Sequence, residues 1–349
     1  MTKIEKRFWG WTSDGSCIDL YTMRNSSGSR VEIITLGAAL RAWYVPMKDG
    51  STRDIVLGCD SVSDYERQGA YLGATVGRVA NRIKNGTFVL DDRVYTVTVN
   101  DSPNCNHGGS KGFDKQIWQG TVEREKLTLF YRSRDGEEGF PGCLQVWTTY
   151  QLGEDQSLHI SWRAETDQTT ILNLTNHSYF NLHGGQAART ILDHRLQIFA
   201  DQFTENDEDG LTTGEICHVE GTPYDFRVCA SIGKRMEIGQ LSDSCLGGFD
   251  KNYIIKSANC PKLITAAIME AEGLRLTCIT NQPGLHLYTG NFLTGERGKD
   301  GAPYDKYAGI CLEAQNWPDA IHHSCFPSMI IRPGEVYQRE VIYKIGDMA

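Results

Sequence analysis

The feature that most constrains the fold is a period of two. Apolar and polar residues alternate in segment after segment, which is the repeat of a pleated strand with one face buried. Leu127, Leu129 and Tyr131 alternate with polar partners across residues 126–133, and Leu158, Ile160 and Trp162 do so across residues 157–163. The stretch 142–152 adds the β-branched and aromatic residues that suit a half-buried pleated surface. Turn residues punctuate these runs at Asn85-Gly86, Asp91-Asp92, Asp135-Gly136 and Gly153-Glu154-Asp155. No amphipathic helical pattern of useful length interrupts them, so the chain reads as mainly β.

Length alone, 349 residues, leaves a second domain open. Against it, there is no Pro- or Ser-rich linker, no low-complexity tract, no block of like charge and no repeat at propeller or solenoid period. The expectation is one domain over residues 1–349, built as a large antiparallel sandwich or barrel. A net charge of −9 argues against nucleic acid or an anionic membrane as the main partner. No apolar run is long enough to span a bilayer, and the first residues lack the apolar core of a secretory signal. A cytoplasmic monomer or homodimer follows as the expectation. The eleven cysteines are scattered, odd in number and never spaced Cys-x-x-Cys. They read as reduced thiols, many acting as small buried hydrophobes, rather than as a disulfide scaffold or zinc ribbon.

Four polar segments carry possible chemistry. Residues 171–182 (Ile-Leu-Asn-Leu-Thr-Asn-His-Ser-Tyr-Phe-Asn-Leu), read as one strand, place Leu172, Leu174, Phe180 and Leu182 on one face. Asn173, Thr175, His177, Tyr179 and Asn181 share the other, a surface that can grip a hydroxylated small molecule. Within residues 73–86, Asn81 and Arg82 stand just ahead of an Asn-Gly hairpin turn, an amide beside a guanidinium fork. In residues 104–114, Gly108 and Gly109 allow His107 to be presented on a tight loop. In residues 310–319, alternation sets Glu313 opposite the Ile310 and Leu312 face, where partial desolvation would make it a better base. Each has a plain alternative: a solvated strand face, a surface arginine, a turn histidine, a rim glutamate.

Other constellations are missing. There is no His-Glu-x-x-His, no calcium loop and no Gly-x-Ser-x-Gly elbow. His322 and His323 are adjacent, so on a strand they would point to opposite faces and share no ion. The acidic run 205–210 reads as a surface turn. What remains is one carboxylate and two histidines among amides and an arginine, equipment for proton transfer on a neutral polar substrate.

Taken together and in order, six segments resemble the galactose mutarotase (aldose 1-epimerase) family. They are 77–83 (Gly-Arg-Val-Ala-Asn-Arg-Ile), 106–115, 175–182, 247–253, 283–292 and 311–319 (Cys-Leu-Glu-Ala-Gln-Asn-Trp-Pro-Asp). The resemblance implies a large single-domain antiparallel β-sandwich, the supersandwich, and an isomerase that needs no cofactor or metal. It implies Glu313 as general base and His177 as general acid, with Asn81, Arg82, His107, Asp250 and His286 holding a sugar. Activity would then fall as Glu313 protonates at low pH and as His177 loses its proton at high pH. His286 departs from the family pattern, in which glutamine is more usual, and this puts sugar preference in question. A hexose-6-phosphate 1-epimerase and a non-catalytic sugar-binding protein are the other readings of such a scaffold.

Overall fold

The computed structural model describes residues 1–185, 189–241, 245–255 and 262–348. Among them, antiparallel strands make three principal sheets and several two-stranded ladders. The N-terminal sheet runs in chain order through Lys3–Trp11, Cys17–Arg24, Arg30–Ile34, Ala39–Pro46 and Thr52–Asp54. A nine-stranded sheet carries the expected strands, Lys126–Ser133, Leu144–Leu152 and Ser157–Thr166, as consecutive neighbours. Its next strand is Tyr337–Asp347, so a strand from the end of the chain lies at the heart of the sheet. The third sheet, here the site sheet, orders Tyr179–Phe180, Ile310–Gln315, Gly284–Tyr288, Asp250–Ile254, Gln202–Asn206 and Thr212–His218.

Alternation explains how the sheets stack. One buried cluster draws Tyr21, Val31 and Trp43 from the N-terminal sheet, Leu129, Ile160 and Val341 from the large sheet, and Leu285, Leu287 and Leu312 from the site sheet. The layers therefore meet face to face around one apolar interior, as in a sandwich. Tyr343 crosses it, donating its hydroxyl to the Leu312 carbonyl at 2.8 Å. The helices Val62–Arg67 and Ile232–Ile238 are short, and no helix among the described residues is long and apolar enough to cross a membrane. The ten described cysteines are free thiols.

The structure revises three local expectations. Residues 171–182 do not form one strand: Thr170–Ile171 pairs with Ile330–Ile331, Thr175–Asn176 with Thr75–Val76, and Tyr179–Phe180 with Ile310–Gln315. The segment passes between three ladders and is buried throughout, so its polar side chains meet protein on every side. Asn85-Gly86 is not a hairpin turn, because Arg82–Ile83 pairs with Cys105–Asn106 while Thr87–Leu90 pairs with Arg93–Thr96. The hairpin turn is Asp91-Asp92, both at positive φ. Finally, His322 and His323 lie at a 3-10 turn, and both face Asp319, at 2.6 and 3.7 Å.

Candidate active site

The site is built on the outer face of the site sheet. Ile310–Gln315 is buried on both faces, with Ile310, Leu312 and Ala314 in apolar core. Period two then turns Cys311, Glu313 and Gln315 the other way. Cross-strand register sets His286 beside Glu313 on one side and Asn252 on the other. The neighbouring row reads Tyr179, Cys311, Tyr288, Asp250. Residues far apart in sequence thus arrive together because the ladder aligns them.

Loops close over this face to leave an open cleft of about 630 Å³, into which Glu313, His177, His107, Asn81, Arg82, Asp250 and His286 all reach. All seven expected site residues therefore meet in one place. His177 is pinned by its backbone, which donates to Ala74 and accepts from Gly73, both at 2.9 Å. The asparagines of the same motif serve as clamps. Asn173 donates to the carbonyls of Ala80 and Asn316 and accepts the Asn316 N–H, Asn176 donates to Gly73, and Asn181 to Arg189 and Ala308. They fasten the cleft loops to the sheet rather than facing a ligand.

His107 sits at φ 50° ahead of Gly108 and Gly109, and a Cβ on Gly108 would collide with the Gly77 carbonyl. Its Nδ1 accepts the Asn81 N–H at 3.2 Å, which places the proton of the neutral ring on Nε2. Burial, then the neighbouring His177, Arg82 and His286, hold His107 well below the ordinary histidine range. Asn81 spends its side-chain oxygen on the Arg82 N–H at 2.8 Å, which leaves its NH₂ as the donor for the cleft. Arg82 is braced by Asp101 at 2.8 Å.

Two carboxylate–imidazole pairs lie side by side. Asp250 Oδ1 and His286 Nε2 are 2.6 Å apart, both buried. Burial works to raise the Asp250 pKa, yet the His286 hydrogen bond and the charges of His286, Arg82 and Lys251 hold it below the carboxylate range. The other ring nitrogen of His286 is buried without a partner. Glu313 Oε1 and His177 Nε2 are 3.7 Å apart, beyond hydrogen-bond length, and Glu313 Oε2 is buried and unpartnered. Burial, then Asp250, pushes Glu313 far up, and burial brings His177 down to about 3. Both groups therefore favour their neutral forms in the free cleft.

Of the aromatic wall, Tyr179 stands on the polar face read from the sequence, while Tyr71 and Tyr288 carry no separate signal. Tyr71, at φ 56°, lies tilted against His107 and stacked on His177, with ring centroids 4.6 and 5.8 Å away. Tyr179 and Tyr288 flank His177 at 5.0 and 6.2 Å. The acidic run 205–210, expected to be only a surface turn, brings Glu208 and Asp209 to the cleft wall. Away from the cleft, His183, Asp193 and His194 gather three possible metal donors. There His194 accepts the Leu182 N–H on Nε2 and faces Asp193 with Nδ1, so neither nitrogen has a lone pair free for an ion.

An unbonded buried carboxylate facing an imidazole across an open polar cleft, on a large β-sandwich, is the equipment of an acid–base isomerase. Comparison with known proteins narrows the class. The family described as aldose 1-epimerase matches residues 19–344. Galactose mutarotase of Homo sapiens is 42% identical over 96% of both chains, and aldose 1-epimerase of Escherichia coli is 36% identical over 95% of this chain and 96% of its own. A solved aldose epimerase homologue from C. elegans superposes with a TM-score of 0.86 at 30% identity, covering 99% of this chain and 100% of that one. The chain belongs to the aldose 1-epimerase family of isomerases.

Proposed function

We propose that this protein interconverts the α and β anomers of free aldohexoses, galactose and glucose among them, with Glu313 and His177 as the acid–base pair. The observation that carries this reading is the 3.7 Å gap between Glu313 and His177 in a cleft that ends on the unpartnered Glu313 Oε2. With a cyclic sugar bound, Glu313 takes the proton of the anomeric hydroxyl while protonated His177 Nε2 gives one to the ring oxygen. The ring C–O bond breaks, and the pair that began ionised ends neutral. Burial favours the neutral pair, so the ionised pair is the minor form from which ring opening proceeds. Rotation about C1–C2 turns the aldehyde, and closure runs the same transfers backwards. The ionised and neutral pairs hold the same single proton and titrate as a unit. The active form gains a second proton only near the depressed value of about 3 for His177, and loses its one proton at the raised value of Glu313.

Asn81, Arg82, His107, Asp250 and His286 hold the sugar hydroxyls. The charge of the cleft supports a free sugar over a sugar phosphate. Asp101, Glu208, Asp209, Asp250, Glu296 and Glu313 line it, against Arg82 as the one arginine or lysine among the described lining residues. A phosphate needs cationic donors.

Polarimetry on freshly dissolved α-galactose tests the proposal. Acceleration over buffer by the wild type, abolished in Glu313→Gln and His177→Asn, is expected. Sugar binding without acceleration would make the protein a non-catalytic binder, and undiminished rates in both variants would overturn the mechanism.

A further inference from the structure

His159, His183, His194, His286 and His322 each set a ring nitrogen against a carboxylate oxygen at 2.6–3.2 Å. His177 differs. Its Nε2 looks toward Glu313, and its Nδ1 meets the Sγ of Cys311 at 3.5 Å, within the range of a hydrogen bond to sulfur. Cys311 is fully buried, two residues before Glu313 on the same strand face, and pairs across the ladder with Tyr179. Burial, reinforced by Glu313 and Asp250, keeps it a neutral thiol.

We propose that Cys311 is a positioning residue for His177: its sulfur accepts the Nδ1–H and fixes the ring with Nε2 as the nitrogen that gives up and takes back the proton. The inference rests on the acid–base reading given above. In ring opening the Nε2–H and the anomeric O–H bonds break, while O–H bonds form at the ring oxygen and at Glu313. Nδ1–H is untouched, and it needs an acceptor in both the imidazolium and the neutral ring. A thiol sulfur is a weak, uncharged acceptor. It orients the ring without the stabilisation of the cation that a carboxylate supplies. The acid therefore stays strong enough to protonate a weakly basic ring oxygen.

The test is ¹⁵N NMR on histidine-labelled protein at neutral pH, with His177 assigned by its loss in His177→Asn, run beside polarimetry on wild type, Cys311→Ala and Cys311→Ser. The wild type should show His177 as the Nδ1–H tautomer. Cys311→Ala should lose that preference and about tenfold in kcat, a part of what a positioned acid contributes, with KM little changed. Cys311→Ser, which restores an acceptor, should recover most of the loss. An Nε2–H tautomer in the wild type would overturn the proposal without any variant. So would an unmoved kcat in Cys311→Ala, or equal losses in Ala and Ser with the tautomer unchanged, which is a packing effect. If the wild type lacked mutarotase activity, the functional reading would fall while the NMR still decided the role of the sulfur.

Discussion

The Asp250–His286 and Glu313–His177 pairs share one sheet face, the same chemistry and nearly complete burial, yet they are in opposite states. At 2.6 Å the first pair bonds, and the Asp250 carboxylate is held low. At 3.7 Å the second does not, and Glu313 is driven up while His177 is driven down. An ångström of separation decides between a hydrogen-bonded pair and an unbonded one that can exchange protons with a substrate. The difference arises because burial penalises an unbonded charge by more than a loose neighbour returns. A bonded pair suits holding a substrate; an unbonded one suits moving its protons.

The sharpest way to break this comparison is to exchange the carboxylates for amides. Glu313→Gln should lower kcat by about 10²–10⁴-fold, the ordinary contribution of a positioned acid or base, as polarimetry would read it. A loss of less than about tenfold would mean that Glu313 is not the base. Asp250→Asn leaves His286 with an amide where it had a carboxylate. Stability at pH 7 should fall by about 3–5 kcal/mol in urea unfolding, with KM rising more than kcat falls. An unchanged denaturation midpoint would show that the 2.6 Å contact carries no weight.

His286→Gln puts an amide in place of the imidazole and should sharpen the contrast more gently. We expect kcat to stay within about threefold and the ratio of kcat/KM for galactose over glucose to move by about three- to tenfold, the scale of one altered polar contact in a sugar site. Equal changes for both sugars would remove His286 from specificity.

The smallest effect concerns stability against pH, and here the two carboxylates should part in sign. The folded pKa of Glu313 is raised, so its contribution is fully present below the unfolded value of 4.5 and is lost as pH rises through the folded value. The folded pKa of Asp250 is depressed, so its contribution is present above the unfolded value of 3.8 and is lost as pH falls through the folded one. Glu313→Gln should therefore gain stability over the wild type as pH rises from 5 to 8, by at most about 1.4 kcal/mol per pH unit. A gap that narrows with rising pH would contradict the raised value.

Much of this was legible in the sequence, for identifiable reasons. Strands such as 144–152 and 157–166 announce themselves because one face is buried and the other wet, and period two records the difference. Residues 171–182 misled for the same reason reversed. They are buried on all sides, so the alternation of leucine and asparagine marks apolar packing against backbone clamping, with no solvent face at all. Glu313 and His177 could be picked out because an ionisable residue among strand-forming apolar neighbours is conspicuous. Their 3.7 Å separation could not, because it depends on a ladder between Tyr179 and Cys311 that joins residues over a hundred positions apart. Tyr71 and Cys311 carry no signal of their own: an aromatic and a thiol look like core until the fold turns them toward His177.

The ring of carboxylates around the cleft has a consequence for timing. Repulsion between fixed negative charge and an incoming phosphate acts over roughly a Debye length, about 8 Å at physiological ionic strength, before any contact is made. On the reading proposed above, a sugar that another enzyme has phosphorylated should be repelled at the entrance. Anomer exchange by this protein would then belong to the interval before phosphorylation, which a sugar kinase in the same compartment would end. On that reading, the five acidic groups at the wall besides Glu313 set a deadline as well as a preference.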